Sequence, residues 1–119
     1  MPSLAPRLSL AVLLIFVLGG AARAQSPALT SRTYDIRDSA GNTLGTVDVV
    51  ASSSSAGCWT TDIGGTKNMG SYAWDTLAKA YRSFRNTDPP SPVADVWWDG
   101  VTGVWRWRDI VTGQVGTLH

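Results

Sequence analysis

The stretch YAWDTLAKAYRSFR, Tyr72–Arg85, decides how this chain is read. Trp74, Leu77, Ala78, Tyr81 and Phe84 recur at spacings of three and four, the period of one helix face, while Asp75, Lys79, Arg82 and Arg85 fall mostly off that stripe. Ser71 stands where a side-chain oxygen can cap the first free amides, and Asp75 lies toward the positive end of the helix dipole. Arg82 and Arg85 complement its negative end. The run Asn86-Thr87-Asp88-Pro89-Pro90 then stops the element, because proline brings no amide to the ladder. The spacing predicts an amphipathic helix over Tyr72–Arg85.

Downstream, Asp99-Gly100-Val101-Thr102-Gly103-Val104 is echoed by Asp109-Ile110-Val111-Thr112-Gly113-Gln114. Both fit a hairpin turn in which Asp accepts the turn amides and Gly takes a positive φ before the chain returns. Two such turns in succession predict a three-stranded meander. Its first turn sets Trp98 opposite Trp105, Trp97 opposite Arg106, Val96 opposite Trp107 and Asp95 opposite Arg108. Side chains alternate across a sheet, so Val96, Trp98, Trp105 and Trp107 share one face and Asp95, Trp97, Arg106 and Arg108 the other. A slip of one residue would mix an apolar set with a charged one, so the pattern argues for its own register.

Upstream, Thr33–Ala51 reads as a β-hairpin around Asp38-Ser39-Ala40-Gly41-Asn42, with Arg37 facing Thr43 and Ile36 facing Leu44. Ser52–Gly70 holds four consecutive serines and four glycines without a sustained period, which predicts a long irregular connection with at most a short strand near Cys58–Asp62. The expected fold is therefore α+β: an antiparallel sheet of about five strands, with the helix packed on the tryptophan face of the meander.

The first 24 residues have the form of an export signal. A short basic stretch precedes the apolar run Leu8–Leu18, and Ala22-Arg23-Ala24 supplies the small-x-small pattern of a cleavage site. The run is shorter than the roughly 20 residues that span a bilayer, so cleavage after Ala24 leaves no membrane span. The expected mature chain is a single small domain, 25–119, secreted or periplasmic, with 25–32 lacking structure. It carries eight basic and nine acidic residues, all nine of them Asp, and this balance gives no electrostatic case for nucleic acid. Cys58 is the only cysteine, which excludes an intrachain disulfide. Six tryptophans offer large buried area in its place.

No motif carries recognisable catalytic chemistry. Ala56-Gly57-Cys58-Trp59 superficially resembles the segment around the nucleophile of papain-type cysteine proteases, but the only histidine is His119 at the chain's end, and the two-lobed frame of that family does not fit a chain this short. A packed thiol is the plainer reading of Cys58, and a mixed or intermolecular disulfide the sharper; a reactive thiol there is the premise of the hydrolase reading. Gly64-Gly65-Thr66-Lys67 has the ingredients of a phosphate loop in the wrong order. Asp95, Asp99 and Asp109 match no calcium loop, and one Cys with one His is too few for zinc. No metal or cofactor is expected.

These observations point to a small exported, non-enzymatic protein-binding module, an inhibitor or accessory subunit, whose docking face is Trp97, Arg106, Arg108 and Asp95. An alternative is a carbohydrate-binding module for cell-wall glycan, which needs indole faces exposed in a row. A cysteine-dependent hydrolase built on Cys58 ranks third.

Overall fold

Leu77, at the centre of the expected helical stripe, is 97% exposed at the tip of a hairpin turn. The computed structural model describes residues 27–119, which form eight strands and no helix. The strands are β1 (Arg32–Asp38), β2 (Thr43–Ala51), β3 (Ala56–Ile63), β4 (Thr66–Asp75), β5 (Ala80–Arg85), β6 (Ser91–Asp99), β7 (Val104–Asp109) and β8 (Val115–Leu118). Each pairs antiparallel with the next and β8 returns to β1, so the sheet closes into an up-and-down barrel. The α+β expectation of about five strands under one helix is overturned.

The reason lies in Tyr72–Arg85 itself. Its period of three and four joins unlike positions: Trp74 and Tyr81 share one face of β4 and β5, Leu77 and Ala78 belong to the turn between them, and Phe84 lies on the other face of β5. Tyr72 on β4 and Tyr81 on β5 both face the interior, and the Asp75 carboxylate accepts the amides of Leu77 and Ala78, each at 3.0 Å, to reverse the chain between them. Lys79 completes the turn with a φ of 54°. No helix is needed to cover the tryptophan face of β6 and β7, because barrel closure sets the opposite wall against it.

A second correction follows from closure. The segment expected to be an irregular connection, Ser52–Gly70, holds β3 and the first half of β4. Gly64 and Gly65, with φ of 61° and 83°, form the two-residue turn between them.

Other local expectations meet a mixed outcome. Asp38 accepts the amides of Ala40 (3.0 Å) and Asn42 (2.9 Å), and Arg37 faces Thr43. Ile36 faces Gly45 rather than Leu44, because a bulge leaves Leu44 without a partner. The β6–β7 register is the one the pattern argued for, from Asp95 opposite Arg108 to Trp98 opposite Trp105. The Asp99 and Asp109 carboxylates each accept two amides of their own turns.

Connections alternate between the two ends of the barrel. Turns 39–42, 64–65, 86–90 and 110–114 ring one end; turns 52–55, 76–79 and 100–103 ring the other, where β1 begins and β8 finishes. Residues 27–31, expected to lack structure, lead into β1 at this second end and bury Leu29 to 5% exposure. The proposed export signal, Met1–Ala24, lies outside the described residues. Among the described residues no helix is long and apolar enough to cross a membrane.

Candidate functional site

Three interior aromatic residues each face a glycine across the ladder: Trp59 opposite Gly70, Tyr72 opposite Gly57 and Trp107 opposite Gly116. A β-carbon at Gly116 would stand 2.5 Å from the Trp107 ring, and one at Gly70 would stand 2.7 Å from the Trp59 ring. Each ring therefore leans into space that a side chain would otherwise take. The indoles are tied to the wall as well. Trp59 Nε1 donates to the Ser71 carbonyl at 3.0 Å, and Trp107 Nε1 donates to the carbonyls of Arg37 and Thr117 at 3.2 Å each. Held this way, large rings cover the wall without filling the lumen.

The lumen is a cavity of about 450 Å³. Eight strands give an interior that side chains can just fill or that holds one small ligand, and this volume falls within the usual range of small-molecule sites. Val47, Val49, Trp59, Trp107 and Leu118 form much of its apolar wall, with Leu29 at the end where the N-terminal segment enters. A network of rings backs that end: Tyr72–Tyr81 centroids are 5.6 Å apart, Tyr81–Trp105 6.0 Å and Trp98–Trp105 5.4 Å. No large side chain among the described residues is completely sealed, as expected when the core residues line a space rather than fill it.

At the opposite end the lining turns polar, with Thr61, Asn68, Arg85 and Gln114 beside Leu44 and Val93. Leu44 and Val93 are the extra residues of two bulges, one in β2 and one in β6, so each bulge adds an apolar group to the mouth. Two charged residues line the cavity, Arg85 and Asp109. The Asp109 carboxylate is engaged by the amides of Val111 (2.8 Å) and Thr112 (3.0 Å). Among the described residues Arg85 forms no ion pair with a carboxylate. Deeper in, the Tyr72 hydroxyl is buried without a hydrogen-bond partner, and desolvation pushes its pKa up.

The residues expected to dock a partner do share the outer face of β6 and β7. Asp95 is only 5% exposed, and its principal partner is Arg82 of β5 rather than Arg108. Arg82 Nε and Nη2 donate to its two carboxylate oxygens at 2.9 and 3.1 Å, while Arg108 Nη2 lies 4.0 Å away. This bond raises the Arg82 pKa. Arg106, opposite Trp97, donates to the Asp99 carboxylate, and that bond, followed by the Val101 and Thr102 amides, lowers the Asp99 pKa to about 2. Trp97 is half-buried. The carboxylates of this face are thus already occupied by the protein's own guanidinium groups.

Cys58, expected to be packed, is exposed on the outer side of β3. Strands β1 and β2 separate it from His119, whose ring meets Thr117 Oγ1 at 2.9 Å. Asp99 and Asp109 stand at opposite ends of the barrel, and among the described residues no three metal-ligating side chains gather. Of the six tryptophans, Trp59, Trp105 and Trp107 are buried, and Trp74 is the most open at 44%. Reading by element type missed the cavity altogether. The signal available for it was the set of Trp–Gly and Tyr–Gly pairs, which appears only once β3, β4 and β8 are recognised as strands.

The geometry defines a closed eight-stranded antiparallel barrel with an apolar lumen and a polar mouth. Comparison with protein-family models, with curated proteins and with solved structures finds no match.

Proposed function

We propose that this protein is a small exported binding module that holds a small, mainly apolar molecule inside its barrel. One observation carries the reading: a lumen of about 450 Å³ stays open although Trp59, Tyr72 and Trp107 line it, because each ring leans over a glycine. A barrel selected for stability alone gains from filling such a space, since lost packing costs roughly 24 cal/mol per Å³ of void. Trp59 and Trp107 are built into the wall and report on occupancy. Addition of 1-dodecanol should change tryptophan emission saturably, with one molecule bound per chain. Val47→Phe, which places a ring in the lumen, should weaken that binding at least tenfold with an unchanged circular dichroism spectrum. Absence of any saturable change in the native protein would overturn the reading.

The outer face of β6 and β7 supports a second reading, docking of a protein partner. What favours it is Trp97, half-exposed between strands that also present Arg106 and Arg108. The double substitution Trp97→Ala/Arg106→Ala should then abolish capture of a partner while leaving ligand uptake by the lumen intact. Undiminished capture would remove this surface from consideration.

A further inference from the structure

We infer that the molecule held in the lumen is an amphipathic carboxylate, with its tail among the rings and its head group on Arg85 at the mouth. The inference rests on the cavity reading and adds the charge and orientation of the ligand. Four observations lead to it.

The wall beyond the mouth is apolar, and apart from the neutral Tyr72 hydroxyl its side-chain polar groups are engaged. Trp59 and Trp107 bond to backbone carbonyls, Tyr81 donates to the Ser54 carbonyl at 2.7 Å, and Ser83 donates to the Ala94 carbonyl at 3.0 Å. A charged group carried into that region would lose its hydration for at most one hydrogen bond from the neutral Tyr72 hydroxyl, so it stays at the mouth. There, the single negative side chain of the lining, Asp109, is held by its own turn amides, whereas Arg85 faces the opening with no carboxylate partner. Asn68 and Gln114 add amide donors to the same rim. A planar guanidinium beside neutral donors matches the forked geometry of a carboxylate. The bulged Leu44 and Val93 then flank the point at which head passes to tail.

The test compares dodecanoate with 1-dodecanol, two probes of equal tail and different head, in the native protein and in Arg85→Gln. Arg85 is solvent-exposed, so its contribution is expected to be moderate. Dodecanoate should bind about fivefold to tenfold more tightly than the alcohol at low salt, in line with a partly hydrated charge-assisted hydrogen bond. The preference should shrink at high salt and vanish in Arg85→Gln. Equal binding of the two probes by the native protein, or a preference that survives Arg85→Gln, overturns the head-group assignment and leaves the cavity reading standing. Failure of both probes to bind overturns the cavity reading and this inference with it.

Discussion

Trp107 leans its indole over Gly116, the residue directly opposite it on β8. A β-carbon at Gly116 would overlap both that ring and the Arg37 carbonyl across the neighbouring ladder. Neither can retreat freely, since the indole Nε1 is bonded to Arg37 and Thr117 and the carbonyl belongs to the barrel wall. Gly116→Ala should therefore destabilise the protein by about 1–3 kcal/mol, the usual cost of overpacking. Val115→Ala, at a half-exposed neighbour, should change stability by less than about 0.5 kcal/mol. Urea unfolding of the two variants checks the contrast.

Asp95 is the buried hub of the outer face, joined by two hydrogen bonds to Arg82 of β5 and approached by Arg108 of β7. It therefore clamps three consecutive strands. Asp95→Ala removes both bonds and leaves neighbouring guanidinium groups without their shared acceptor. A loss of about 1.5–3 kcal/mol is expected, the range for hydrogen bonds to charged groups. A urea midpoint lowered at constant slope would show it; an unchanged midpoint would mean the clamp contributes nothing.

The opposite sign is expected at Tyr72. Its hydroxyl is buried without a partner, a position that normally costs stability. Tyr72→Phe keeps the ring over Gly57 and removes the unpaired group, so stability at neutral pH should rise by about 1 kcal/mol. The pH dependence supplies a second readout. Burial raises the phenol pKa above its usual value of 10.0, so the folded state opposes ionisation. Stability is retained below pH 10 and falls as the pH climbs above it. That alkaline decline should be weaker in Tyr72→Phe.

How much of this was legible before folding differs from segment to segment. The β6–β7 register could be read because a one-residue slip there mixes Asp95, Arg106 and Arg108 with Trp98, Trp105 and Trp107. Around Leu77 the same kind of reasoning failed. Trp74 and Tyr81 on one strand face, Leu77 and Ala78 in the turn between, and Phe84 on the other face happen to fall at spacings of three and four and imitate a helix face. The Asp75 turn carried the correcting signal, because it uses the same device of Asp accepting two amides that marks Asp38, Asp99 and Asp109. Gly64-Gly65 was legible too, as a two-residue hairpin turn, and dividing 52–70 there would have exposed β3 and β4. The cavity was not legible, since it depends on closure of β8 onto β1, a long-range pairing with no local trace.

The Asp99–Arg106 contact of the β6–β7 turn should resist acid to a lower pH than an ordinary carboxylate would. The Asp99 pKa is lowered from 3.8 to about 2, chiefly by Arg106 and then by the Val101 and Thr102 amides. A depressed carboxylate pKa means that its stabilising contribution is complete above pH 4 and is lost as the pH falls toward 2. Asp99→Asn should therefore be less stable than the native protein at neutral pH, with the difference closing between pH 4 and pH 2. A difference that persisted unchanged at pH 2 would show that the carboxylate acts through packing rather than charge.

Leu29 connects stability to the lumen. It lies outside the strands, yet it is only 5% exposed and lines the cavity from the end where β1 begins. Thr30 next to it is fastened by bonds of 3.4 Å and 3.3 Å to the Tyr34 hydroxyl, which holds the short segment across that end. If Leu29 were merely one more core residue, Leu29→Ala would lower stability by about 2–4 kcal/mol and leave uptake of ligand unchanged. As the floor of the lumen it has a second effect. Truncation lengthens the cavity and removes contacts from the inner end of a bound tail, so 1-dodecanol should bind several-fold more weakly. Because the lost contacts are those nearest the tail's end, a ligand extended by two methylene groups should recover part of the affinity. Isothermal titration of the two alcohols against the native protein and Leu29→Ala tests this directly: partial recovery only in the variant places Leu29 at the floor, and unchanged binding of both alcohols by Leu29→Ala would assign it to stability alone.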